Sequence, residues 1–164
     1  MNWQTLFLSP EGRIGQKDYW IGLLILMIVW IVSPVLHILA PVLWLILLYP
    51  WICVIAKRLH DFGKSGWFIM VPVIVGVVCM GLAFVFGGLS VLTAIFAAAT
   101  EGAELNWGVF LAALGAMIAF LAVAGLVKLI FLLWVGLSSG DRSANRYGPP
   151  PGSPSVETPV APVS

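Results

Sequence analysis

Charge is what this chain has least of. Only 9% of its 164 residues are charged, against about a quarter in a soluble domain. No charged residue occurs between Tyr19 and Ala56, and none between Ser65 and Thr100. Hydrophobic residues make up 61%, and the mean hydropathy is +1.06. A soluble globule of this size could not hide so much apolar surface. The net charge of +1 and the scattered basic residues exclude a phosphate-tracking nucleic-acid stripe. Cysteine is also scarce. Cys53 and Cys79 both fall in apolar stretches, where a thiol acts as a small hydrophobe rather than a disulfide or zinc ligand. The first residues carry no positive n-region, and Pro10, Glu11 and Arg13 interrupt before any long apolar run. A cleaved signal peptide is therefore not expected.

What remains is apolar blocks long enough to cross a membrane. As one helix, Tyr19 to Ala56 would extend about 57 Å at ~1.5 Å per residue, nearly twice the ~30 Å hydrocarbon core. It must turn back, and Ser33-Pro34 and Ala40-Pro41 are the available breakers. Two spans, about 19–36 and 39–56, follow, with His37 in the turn between them. The next block gives a span over about 67–86, closed by Gly87-Gly88. Leu89 to Thr100 is too short to cross again and reads as part of an outer connection over 87–106. A last long span covers 107–137, with Lys128 near its end able to snorkel. Within it Gly108, Ala112 and Ala116 repeat at four-residue spacing, which suits close helix packing.

The expected fold is thus an all-α integral membrane protein, a bundle of four transmembrane helices. Residues 1–18 form an N-terminal interfacial segment, 19–140 the membrane domain, 57–66 a basic loop, and 141–164 a Pro-rich tail. That tail, with six of the eleven prolines, reads as disordered. Arg13, Lys17, Lys57, Arg58, Lys64, Arg142 and Arg146 fall on one side of a four-span arrangement, and Glu101 and Glu104 on the other. The positive-inside rule then places both termini and the basic loop in the cytoplasm. Tyr19, Trp20, Tyr49, Trp51, Trp67, Trp107 and Trp134 lie near span ends, as amphipathic rings prefer. Asp18 is positioned to cap the first helix.

Three polar stretches meet on the cytoplasmic side: Gly12 to Trp20, Lys57 to Trp67, and Gly140 to Pro149. Each holds an arginine, an aspartate, glycines and an aromatic residue. Arg–carboxylate pairs between them would staple helix ends together. Arg13 or Arg58 with Asp61 or Asp141 are the candidate pairs, and composition does not choose among them. Lys57, Arg58 and Lys64 could equally attract acidic lipid, at about 1 kcal/mol per basic side chain. Gly63-Lys64-Ser65 is not a phosphate loop, because Arg58 stands where the motif needs its first glycine. His60-Asp61 is a poor catalytic or metal site, since adjacent side chains diverge and a zinc site needs three or four ligands.

These stretches resemble the signature of a bacterial inner-membrane family known as domain of unknown function 805. The matching positions are Gly12, Arg13, Tyr19 and Trp20; then Arg58, Leu59, His60, Asp61, Gly63, Ser65, Gly66 and Trp67; then Asn145, Tyr147, Gly148 and Pro151. Gln16 stands where the family usually has a second arginine, Lys57 replaces the first arginine of a pair, and Pro150 replaces an aspartate. The resemblance implies a multi-pass protein of the bacterial inner membrane and supplies no activity. The functional expectation is a non-enzymatic, cofactor-free membrane module whose basic rim binds a partner protein or anionic lipid. A subunit of an oligomeric small-solute transporter or channel is the alternative. The candidate rim residues are Arg13, Lys57, Arg58, His60, Asp61, Lys64, Trp67, Asn145 and Tyr147.

Overall fold

The structure is a computed structural model that describes residues 3–101 and 107–153. Glu104 and the Pro-rich tail beyond residue 153 lie outside the described residues. The described residues are all-helical, with no strand. They form α1 (Trp3–Leu8), α2 (Gln16–Val32), α3 (Ala40–Asp61), α4 (Met70–Ala83), α5 (Leu89–Glu101) and α6 (Trp107–Leu137). Three helical stretches are long and apolar enough to cross a membrane: Gln16–Asp61, Gly66–Thr100 and Trp107–Leu137. The chain divides into two compact units, Met1–Gly66 with Gly136–Ser164, and Trp67–Val135.

In the first unit, Gln16–Asp61 is bent into a hairpin. A tight helical turn over Ser33–Leu39 joins α2 to α3, and His37 at φ 42° reverses the chain. That backbone region is unfavourable for a residue with a Cβ. Trp30 stacks on Trp44 at 5.9 Å, and Gly22 faces Val54, so α2 and α3 run antiparallel. Buried Ser33 closes the turn, donating to the Trp30 carbonyl at 2.7 Å and accepting from Trp44 Nε1 at 2.6 Å. Prolines 34 and 41 sit at the first positions after each restart, where their missing N–H is not needed. The short α1 is tied to α3 at two points. Tyr49 Oη donates to the Leu8 carbonyl at 3.0 Å, and the Lys57 ammonium to the Thr5 carbonyl.

Two local expectations change here. Asp18 does not cap α2; the helix starts at Gln16 after Gly15, and Asp18 lies in its first turn. There its charge still complements the helix dipole. Residues 57–61 are not a loop but the last turn of α3. The apolar stretch ends at Ala56, yet nothing in Lys57–Asp61 breaks a helix. The helix stops where Gly63, at φ +72°, closes a Schellman turn: Gly63 N–H donates to the His60 carbonyl and Lys64 N–H to that of Leu59.

In the second unit, α4 does not end at Gly87-Gly88. The helix widens into one π turn over Phe84–Gly88 and continues as α5 to Glu101. A Cβ on Gly87 would lie 2.8 Å from Met117 Cβ and 2.9 Å from the Ala113 carbonyl. Gly87 therefore serves close packing against α6, and π turns are absorbed inside helices. Phe86 stacks on Phe120 at 6.0 Å, and Phe68 meets Trp134 at 6.3 Å, so α6 runs antiparallel to α4. Ala113, one residue round from the expected Gly108–Ala112–Ala116 stripe, is the buried small residue; Gly108 and Ala112 are exposed. The helix at 107–137 runs unbroken as expected.

Candidate functional site

The polar segments of the first unit converge on Asp61. Its position at the carboxy end of α3 follows from the Schellman stop at Gly63. One turn earlier on the same face, Arg58 donates Nη1 to Asp61 Oδ2. From the loop before α2, Arg13 donates both Nε and Nη2 to Asp61 Oδ1, at 3.1 and 3.0 Å. Each carboxylate oxygen thus receives its own guanidinium. All three side chains are at most 3% exposed. The candidate pairs are resolved in an unforeseen way: both arginines choose Asp61.

Two guanidiniums against one carboxylate leave an excess of positive charge in a buried place. Backbone carbonyls answer it. Arg58 Nη2 donates to the Ser138 carbonyl, just beyond the end of α6. A helix carboxy end carries partial negative charge, which favours a cation there. Arg13 also donates to the carbonyls of Asp61 at 3.1 Å, Ser143 at 2.9 Å and Gly148 at 3.2 Å. Its planar five-donor fork lets one side chain fasten three segments, which a lysine ammonium could not reproduce.

The segment after α6 is shaped by Asn145. Its Nδ2 donates to the His60 carbonyl at 3.0 Å and to Asp141 Oδ2 at 2.8 Å, while its Oδ1 accepts from Tyr147 N–H at 2.9 Å. Asn145 and Gly148 exchange backbone hydrogen bonds, closing a four-residue turn. That turn lays Tyr147 on His60, ring centroids 3.8 Å apart and 7° from parallel. His60 Nδ1 meets the Gly12 carbonyl at 3.3 Å, consistent with a proton on that nitrogen. Arg146 packs over the Tyr147 ring at 4.7 Å and reaches the Gly63 carbonyl at 3.3 Å.

Of the nine candidate residues, the structure brings together Arg13, Arg58, His60, Asp61, Asn145 and Tyr147. Lys57 points to α1 and is 3% exposed. Lys64 is exposed on the turn after α3, and Trp67, 78% exposed, opens the second unit. Arg13, Lys57 and Arg58 are therefore buried rather than displayed. Four residues were not anticipated. Gln16, where an arginine was expected, donates Nε2 to the Gly136 carbonyl at 2.8 Å and so caps the end of α6. Gly136 lies against Tyr19 and Trp20, and Gly140 against Asp61. Ser143 enters only through its carbonyl. Glycines beside an Asp-Arg pair are a faint sequence signal; a carbonyl partner gives none.

Among the described residues, three helical stretches long and apolar enough to cross a membrane, with no strand, mark a helical membrane protein. The clamp is built from the same residues that carried the family signature. Within that class, the chain belongs to the family described as "Protein of unknown function (DUF805)", whose model matches residues 7–149. No curated protein and no solved structure matches it.

Proposed function

We propose that this chain is a four-crossing protein of the bacterial inner membrane with both termini cytoplasmic. We further propose that it acts without enzymatic chemistry, through a basic rim that holds anionic lipid. The observation that carries this reading is a division of labour among the cations. Arg13 and Arg58 are turned inward onto Asp61, whereas Lys17, Lys64, Arg142 and Arg146 stay exposed. A clamp made of the first group gives the second a fixed platform. Each exposed base near an acidic leaflet contributes about 1 kcal/mol.

The four-crossing count is supported by the hairpin at His37. Gln16–Asp61 spans 46 residues, about 69 Å as a straight helix, and it folds back on itself. The positive-inside rule then favours the orientation. A green fluorescent protein fused after Ser164 should fluoresce, and alkaline phosphatase at the same place should be inactive. An active C-terminal phosphatase refutes the orientation.

The lipid reading is tested by replacing Lys17, Lys64, Arg142 and Arg146 together by glutamine. Phosphatidylglycerol retained through detergent extraction should fall severalfold at unchanged thermal midpoint. Undiminished retention sinks the reading. So does loss of a copurifying acidic protein with lipid retention intact.

A further inference from the structure

A second feature of the first unit lies beside the clamp but does not belong to it. Thr5, Glu11, Gly12, Arg13, Asp18 and Lys57 line an open cleft of about 250 Å³. That is smaller than the ~300–1,000 Å³ of sites for drug-sized ligands, and it suits a small polar group. Two basic and two acidic residues line it. Arg13 is occupied by Asp61 and three further carbonyls. Lys57 is not: among the described residues its ammonium has a single acceptor, the Thr5 carbonyl, and no carboxylate within 4.0 Å. An ammonium has three donors, and burying one with its charge unmatched is unfavourable. Glu11 and Asp18 share the cleft with Lys57, yet neither pairs with it. Opposite charges that border one space without meeting leave room for something between them.

The occupant must satisfy Lys57 without being repelled by the two carboxylates. A polyanion fails the second condition. A neutral molecule fails the first. A group bearing one negative charge and one N–H cation meets both, its anion on Lys57 and its ammonium towards Glu11 and Asp18. The surroundings say where it comes from. Asp18 and Lys57 directly flank the uncharged run Tyr19–Ala56, at the same end of the α2–α3 hairpin. In a chain that spans a membrane, that is headgroup depth. One cleft wall is backbone: Gly12 adopts φ +86° with open space beside its Cα, and its carbonyl is fixed by His60.

We infer that this cleft is a binding site for a phosphodiester–primary-amine lipid headgroup, of the phosphatidylethanolamine type. The inference rests on the membrane placement above but not on the anionic-lipid reading, since it uses none of the four exposed bases.

The test is native mass spectrometry of the delipidated full chain in detergent. It is titrated separately with didecanoyl phosphatidylethanolamine, phosphatidylcholine and phosphatidylglycerol, and with soluble glycerophosphoethanolamine. The ethanolamine lipid should give one saturable adduct, stronger than the choline lipid, which offers no N–H. Lys57→Met should weaken that adduct about tenfold or more, as expected for a lost charge-assisted hydrogen bond. The quadruple glutamine variant should leave it unchanged, which separates this site from the rim. Should Lys57→Met fail to fold, Glu11→Gln with Asp18→Asn gives an independent reading: it should shift preference towards phosphatidylglycerol. Equal binding of all three lipids, or an adduct indifferent to both variants, overturns the site. Soluble glycerophosphoethanolamine binding as tightly as the lipid overturns the lipid source.

Discussion

Asp61→Asn should be among the most destabilising single changes in this protein, at about 3–5 kcal/mol. The substitution keeps the shape of the side chain and removes its charge. Arg13 and Arg58, both nearly inaccessible to solvent, would then face each other as buried like charges with no counter-ion. Removing one member of a buried charge set costs far more than the set contributes as a whole, because the remaining charges stay desolvated. The loss should appear as a lower thermal midpoint in detergent, followed by intrinsic tryptophan fluorescence, and as earlier thiol labelling of buried Cys53. A second change should restore part of it. Arg58→Met in the Asp61→Asn background removes one of the two unmatched charges, so the double variant should be more stable than Asp61→Asn alone. Such a sign of coupling is expected only for groups in one network. Arg13→Lys should not substitute for arginine, because one ammonium cannot reach Asp61 and two carbonyls of the 143–148 turn together. An Asp61→Asn protein within about 0.5 kcal/mol of the parent, the range of ordinary surface changes, would contradict the clamp as the organiser of this unit.

What could be read from the sequence divides along physical lines. The turn near His37 was legible, because an apolar run too long for one crossing must fold back and, of its three prolines, Pro34 and Pro41 lie near the middle while Pro50 would leave too short a second crossing. The last helix was legible from one uninterrupted stretch. The convergence of Arg13, Asp61 and Asn145 followed from their shared polar character on one side of the apolar blocks. Helix ends were less legible. Hydropathy marks where the apolar stretch stops, at Ala56, whereas backbone geometry at Gly63 decides where α3 stops. Arg58 and Asp61 then fall at i and i+3, a spacing that brings side chains together, and the loop reading of 57–61 concealed it. Gly87 shows the opposite error. Its intrinsic unfavourability in a helix, about 1 kcal/mol, argues for a helix end, and close packing against Met117 outweighs it. No sequence pattern foretold that both arginines would take the same carboxylate, because five of the donors' contacts are made to backbone carbonyls.

The glycines give the other large effect, and they divide into two groups by what lies beside them. Gly140→Ala should be strongly destabilising, on the order of 3 kcal/mol, at the upper end of overpacking penalties. A Cβ there would overlap the Asp61 carboxylate, lying 2.8 Å from its carbon and closer still to Oδ2. The carboxylate cannot step aside freely, since each oxygen is already held by a guanidinium. The methyl group must therefore push the chain after α6 away from α3, which also lengthens the bond from Asp141 N–H to the Asp61 carbonyl, now 2.8 Å. Gly136→Ala should act similarly by a different route, because its Cβ would collide with the Trp20 indole and approach Tyr19 to 2.8 Å. Tyr19 is fully buried and cannot swing out. By contrast, Gly76, Gly81, Gly115 and Gly125 are helical glycines with open space around them. Alanine at any of these should be neutral or stabilising by up to about 1 kcal/mol, through its better helix propensity. Thermal midpoints of the six alanine variants in one detergent, measured side by side, decide the matter. The expected order has Gly140→Ala and Gly136→Ala well below the parent and the other four at or above it. If Gly140→Ala instead ranks with Gly115→Ala, the chain after α6 does not seat against Asp61, and the clamp loses its third segment.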